Sequence, residues 1–191
     1  MTDESLLNYV GLIRGINVGQ SKRVSQSDIV ATCEAAGCGD VVTLVQSGNV
    51  VFSAEPTPEH ALAQRIGSEL HTRTGVKAEI IIVTADQFHA VAQANPLRTL
   101  YDDDSKLVIT FLDHPLPPGV QLPAEAELAP EVVRLGAHAV YQWCPLGVHR
   151  TVLPRSFWRE IGPIATARNQ RTVDRIRSEL FRRESDQHLS R

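Results

Sequence analysis

Two β-branched runs, residues 41–45 and Val50-Val51-Phe52, are separated by too few residues to hold anything but a turn. Glycine and asparagine accept the positive φ of tight turns, so Ser47-Gly48-Asn49 predicts a β-hairpin. The hairpin constrains the fold through its neighbours. Before it, Tyr9-Val10-Gly11-Leu12-Ile13 reads as a buried strand. Ser25-Gln26-Ser27-Asp28 then supplies polar caps for a helix carrying Ile29, Val30 and Ala31, which Gly37 and Gly39 end. After it, Leu62, Ile66 and Leu70 recur at intervals of four, the buried stripe of a helix. Thr57 is the expected cap of that helix, Pro58 its first residue and Gly75 its end. Residues 76–83, with Ile80-Ile81-Ile82 inside, form a fourth strand. Thr84 and Gln87 offer a capping box for a helix bearing Phe88 and Val91, stopped at Asn95-Pro96.

Strand, helix, strand, strand, helix, strand is the split-βαβ, or ferredoxin-like (βαββαβ), order, predicted here for residues 1–95. Residues 96–105 read as a linker. Consecutive Asp102-Asp103-Asp104 point in different directions and lack convergent partners, which predicts a solvated turn rather than a metal site. A second copy is expected over 106–191. It opens with Leu107-Val108-Ile109-Thr110-Phe111-Leu112, crosses through Pro115, Pro117, Pro118 and Pro123, and has a weak helix at 124–128. A hairpin of 131–135 and 139–143 turns about Gly136, and a short helix covers 156–161. Ala165-Thr166-Ala167 is a short strand before a helix from Gln170 to about Arg183, striped by Val173, Ile176 and Leu180. Residues after Asp186 are expected to fray. The predicted class is α+β: two ferredoxin-like subdomains, the second shortened, with a C-terminal basic helix.

A chain of 191 residues can bury a core without disulfides. No apolar run approaches the roughly 20 residues that cross a bilayer, so no membrane partner is expected. Met1-Thr2-Asp3-Glu4-Ser5 is acidic where a secretory signal is basic. Cys33, Cys38 and Cys144, odd in number and without framework spacing, suit buried or half-buried thiols in a reducing compartment. These features predict a cytoplasmic protein. Charge is uneven: residues 150–191 hold ten Arg against five acids, net +5, whereas residues 1–149 hold 9 basic and 17 acidic residues, net −8. A basic tail on an acidic body suits an anionic partner or complements its own domain.

Two polar segments then stand out, Arg14-Gly15-Ile16-Asn17-Val18-Gly19 and Gln46-Ser47-Gly48-Asn49. In a ferredoxin-like sheet the first strand lies antiparallel beside the third. The end of one therefore adjoins the start of the other, which brings Arg14, Asn17, Ser47 and Asn49 together. Gly15, Gly19 and Gly48 would let backbone amides approach an anion. The alternative reading is tight-turn chemistry with local capping. A second clue lies at the C-terminal helix. With Asn169 as its cap, Arg168 and Arg171 oppose the helix dipole, at about 0.3–1 kcal/mol each when exposed. A docked anion would resolve that conflict, as would an internal carboxylate. Thr172 could return a capping hydrogen bond.

Arg14–Gly19, Gln46-Ser47-Gly48-Asn49-Val50-Val51-Phe52, Asn95-Pro96-Leu97, Phe111-Leu112 and Thr166-Ala167-Arg168-Asn169 with Thr172-Val173 together resemble domain-of-unknown-function family 1697. The resemblance covers nearly the whole chain and implies two ferredoxin-like halves in one α+β protein. It brings no established activity, cofactor or catalytic residue. Gln20 stands where the family usually has a second glycine, and Gln170 where it often has an aromatic residue.

RNA recognition across the sheet needs aromatic residues on the central strands. Tyr9 and Phe52 are the only aromatics in the first four strands, and the acidic body opposes phosphate. Contact through Lys22, Arg23 and the C-terminal arginines stays open. None of the seven histidines pairs at metal-ligand spacing on one helix face, and Ser47 has no identifiable base. The sequence names no cofactor and no oligomeric state. Guanidinium groups such as those of Arg14 and Arg168 suit carboxylate or phosphate. The expected function is binding of a small anionic ligand, a phosphorylated metabolite or nucleotide, at Arg14, Gly15, Asn17, Gly19, Ser47, Gly48 and Asn49, helped by Arg168, Asn169 and Thr172. An enzyme using that pocket and a nucleic-acid or protein interaction module are the alternatives.

Overall fold

The computed structural model describes residues 6–17, 23–45 and 48–189. The elements run β1 (Leu7–Arg14), α1 (Gln26–Ala35), β2 (Gly39–Leu44), β3 (Asn49–Ala54), α2 (Glu59–Thr74), β4 (Glu79–Thr84) and α3 (Ala85–Gln93). The pattern then repeats as β5 (Leu107–Leu112), α4 (Glu125–Leu128), β6 (Val132–Leu135), β7 (Ala139–Trp143), α5 (Arg155–Glu160), β8 (Ala165–Asn169) and α6 (Gln170–Leu189). Sheet order is β2-β3-β1-β4 in the first half and β6-β7-β5-β8 in the second, with antiparallel pairing throughout. Both sheets have the ferredoxin-like order. The second copy keeps all four strands and is shortened in its helices: α4 has 4 residues and α5 has 6, against 10 in α1 and 16 in α2.

Two units follow from the packing. The first runs through Phe88 and also takes the residues from Arg175 onward; the second is His89–Asp174. In the first, Tyr9 and Ile13 share a face with Phe52, Val50, Ile80 and Ile82, and pack on Ile29, Cys33, Leu62, Ile66 and Leu70 of α1 and α2. Gly11 lies on this face because nothing larger fits: a Cβ there would sit 2.7 Å from Val50 Cγ1. The Tyr9 and Phe52 rings stack at 5.7 Å and are buried, so neither is presented to a base. In the second unit, Leu112, Val133 and Val140 pack on Leu128, Leu153, Phe157 and Ile161. The Tyr141 hydroxyl donates to Val91 O of α3 at 2.9 Å.

Local chemistry sets the element ends. The polar cap expected at the start of α1 is a capping box of Ser25 and Asp28, and Thr84 with Gln87 forms the box expected for α3. The start of α2 differs from expectation. The helix begins at Glu59, Pro58 holds the cap position, and no side chain caps it. The Thr57 hydroxyl turns back to Glu55 O instead, while the Thr57 peptide group brackets the Tyr9 hydroxyl. Helix α6 continues past Asp186 to Leu189 rather than fraying there. The Asp triplet is a turn: Asp103 accepts from Ser105 and faces Lys106, and Asp104 pairs with Arg98. All three cysteines are free and buried.

The opposite face of the first sheet, with Val10, Leu12, Val51 and Ile81, is also buried. Arg183 of α6 reaches onto it and is itself 7% exposed. Strand β2 is bulged between Gly39 and Val42, and Asp40 has φ 46°, which takes its carbonyl out of the ladder. Arg183 Nη2 donates to that carbonyl and, at 3.3 Å, to Val51 O; Nη1 donates to Asn8 Oδ1 at 3.4 Å. Its Nε is held by Glu179 Oε1 at 2.8 Å. Removing the guanidinium takes a donor from the buried Val51 carbonyl and from the Asp40 carbonyl and leaves Glu179 without that partner, so Arg183→Ala is expected to cost about 2–4 kcal/mol in denaturant melts. Arg182→Ala, which removes a side chain that is itself 57% exposed and leaves Glu179 its bond to Arg183, should cost less.

Glu179 also gives the fold an acid limit. Hydrogen bonds from Arg182, reinforced by Arg183, hold its carboxyl below the ordinary value of 4.5. A depressed native value means that the unfolded chain takes up the proton first. The contribution is therefore intact above about pH 4.5 and fades as pH falls through the native value. Melting temperatures measured between pH 6 and pH 3 should fall more steeply for wild type than for Glu179→Gln; parallel profiles would remove Glu179 from the account.

Candidate functional site

The expected loop end forms where strand β1 leaves the sheet. Leu12 pairs with Asn49, and the Ile13 N–H donates to Gly48 O at 2.7 Å, so the end of β1 and the start of β3 are joined by the ladder. Gly15 and Gly48 have φ of 82° and 78°, the left-handed region that glycine adopts without strain. Gly19 and Ser47 lie outside the described residues.

The two asparagines brace these loops. Asn17, at φ 57°, donates from Nδ2 to Val24 O at 3.2 Å and accepts from the Val24 N–H at 2.9 Å, clasping the loop that leads into α1. Asn49 is 3% exposed and donates to Leu44 O at 3.2 Å, closing the hairpin from inside. Both side chains thus serve backbone groups that a turn would otherwise leave unpaired. Arg14 is different. Its side chain is 52% exposed and pairs across the β1–β4 register with Glu79, whose side chain is 49% exposed, at 3.1 Å. Sequence reasoning did not find Glu79, because only the strand register sets it opposite Arg14.

The residues at the head of α6 belong to the second unit. Asn169 is the helix cap: its Oδ1 accepts from the Thr172 N–H at 3.0 Å and from the Thr172 hydroxyl at 2.8 Å. Arg168 Nη1 donates to Thr166 Oγ1 and to Ala167 O at 2.7 and 2.8 Å, and burial pushes the guanidinium down to about 10, still charged at neutral pH. Gln170 is 1% exposed and sits in a polar chain. Its Oε1 accepts from Asn95 Nδ2 and its Nε2 donates to Asp174, which in turn holds Arg98. Beside that chain lies an open cleft of about 650 Å³ lined by Arg98, Thr99, Leu100, Tyr101, Asp102 and Asp104, with Tyr101 stacked on Trp143 at 4.3 Å. Its only signal in the sequence was the helix stop at Asn95-Pro96 followed by the Asp triplet. Among the described residues, no group of three His, Cys, Asp or Glu could hold a metal ion.

One feature of the first loop end is costly by itself. Val45, at the tip of the β2–β3 hairpin, has φ 53° and is 38% exposed. A β-branched residue in the left-handed region is disfavoured by about 1–2 kcal/mol. Asparagine tolerates that conformation, so Val45→Asn is expected to raise stability by about 1 kcal/mol in thermal or chemical melts. A loss instead would mean that the valine methyl groups make packing contacts worth more than the strain.

Comparison with known proteins agrees with this architecture. The family model described as protein of unknown function (DUF1697) matches residues 6–141, more than half of the chain. Among solved structures, the conserved bacterial protein SP0830 from Streptococcus pneumoniae is similar, with TM-score 0.66 and 20% identity over 91% of this chain and 98% of that one. At that identity the likeness speaks for the fold alone. No curated protein matches. No helix of the described residues is long and apolar enough to cross a membrane. The chain belongs to the DUF1697 family of proteins of unknown function.

Proposed function

We propose that this is a cytoplasmic protein that binds a small anionic ligand, a phosphorylated metabolite or nucleotide, at the loop end of its first unit. The observation that carries the reading is Arg14. It stands half-exposed at the end of the central strand, between two loops that are joined by the Ile13–Gly48 hydrogen bond and braced by Asn17 and Asn49. A guanidinium held on a rigid frame loses little freedom on meeting a phosphate. One of its partners, Glu79, is an exposed carboxylate, and a pair of that kind contributes about 0.2–1 kcal/mol, little enough for a ligand to exchange. The strain at Val45 supports the same place, since strained backbone tends to persist where a site is held ready. Free, buried thiols fit a reducing compartment. Arg168 and Asn169 serve strand β8 and the start of α6, so Arg14 is the cation on which the reading rests.

A thermal-shift screen tests it. Nucleotides or sugar phosphates in the millimolar range should raise the melting temperature of wild type and of Arg168→Ala, but not of Arg14→Ala. Ligand at 100 times its Kd adds about 2.7 kcal/mol, a shift of several degrees. Equal shifts in wild type and Arg14→Ala would move any anion site elsewhere.

A further inference from the structure

We propose that Glu79 selects among anions at this site, and that the ligand carries a hydrogen-bond donor, a hydroxyl or an ammonium, beside its anionic group. The inference rests on the anion-binding reading above and adds what the neighbour of Arg14 requires. Strand β4 is the sheet edge next to β1, and the antiparallel register sets Glu79 directly opposite Arg14. The two charged groups are 3.1 Å apart and both half-exposed, so any ligand that reaches one meets the other.

A bare anion binding Arg14 brings its oxygens against the Glu79 carboxylate. Two like charges then share one guanidinium, and the carboxylate loses part of its hydrogen bonding with nothing in return. A ligand with a hydroxyl or ammonium a few bonds from its phosphate avoids both penalties. The phosphate takes the guanidinium, and the donor takes the carboxylate, which accepts at either oxygen. Arg14 and Glu79 together therefore present a cation and an acceptor side by side, matched to phosphorylated polyols or to phosphate esters bearing an amine. Unsubstituted phosphates and alkyl phosphates fit it worse. Glu79 discriminates by opposing the wrong anion as much as by holding the right one.

Three small phosphate monoesters separate the possibilities in calorimetric titrations of the full chain: n-propyl phosphate, glycerol 3-phosphate and phosphoethanolamine. Wild type should bind at least one of the last two about tenfold more tightly than propyl phosphate, and which one distinguishes a hydroxyl from an ammonium. In Glu79→Ala the preference should collapse towards unity, with propyl phosphate binding better than it does to wild type. Glu79→Gln, which keeps an acceptor but no charge, should retain a hydroxyl preference and lose an ammonium preference. Propyl phosphate bound as tightly as the others by wild type, and lost in Arg14→Ala, would overturn this inference and leave the anion site standing. A preference unchanged in Glu79→Ala overturns it too. Failure of all three esters to bind wild type at millimolar concentration overturns both readings.

Discussion

The inner strands β3 and β5, one in each sheet, bury all six of their residues, and this requires each sheet to be covered on both faces. The two helices inside a ferredoxin-like unit can cover only one. In the first unit the second cover comes from the last helix of the chain, whose residues from Arg175 onward belong to that unit. Arg183 makes the attachment specific. A bulge in β2 exposes a carbonyl that no strand can take, and a guanidinium carried by α6 supplies the missing donor. The polar defect in the sheet and the charged residue on the helix compensate one another. A leucine at that position would give the helix a greasier face and leave the bulge unsatisfied.

The same distinction between structural and available polar groups sorts the loop-end residues. Asn17 and Asn49 look alike in the sequence to any ligand-binding asparagine, yet each is engaged by a nearby peptide group. Asn169 and Thr172 are engaged with one another at the start of α6. Turn and cap chemistry therefore explains most of the polar residues that stand out. Arg14 and Glu79 differ because they meet at the surface, where water already competes for both. What a binding site gains from the asparagines is stiffness of the frame rather than contacts.

The basic C-terminal segment shows why charge totals alone say little. Arg182 and Arg183 lie four residues or fewer from Glu179 and Asp186 on one helix, and Arg98 from the second half of the chain holds Asp174. Much of the tail's charge is answered locally. The acidic body and basic tail seen in the sequence are in part a record of which residues neutralise one another.

The fold was legible from local signals because each depends on a few adjacent residues. The Gly48-Asn49 hairpin, the Leu62, Ile66 and Leu70 stripe, the Ser25 and Thr84 boxes and the Asn169 cap all act within one turn of chain. Even the meeting of β1 with β3 followed from element order, since that topology admits few pairings. The start of α2 was misread because Thr57 is drawn away by Tyr9 and Glu55, one of them 48 residues distant. Glu79 beside Arg14, the β2 bulge, the carbonyls that Arg183 holds and the left-handed Val45 were beyond the sequence for the same reason. Periodicity and capping are properties of neighbours along the chain, so the sequence alone determined the elements and their order. Register, the Arg14–Glu79 pair and the carbonyls that Arg183 holds arise from contacts between residues tens or hundreds of positions apart, and only the tertiary structure decided those.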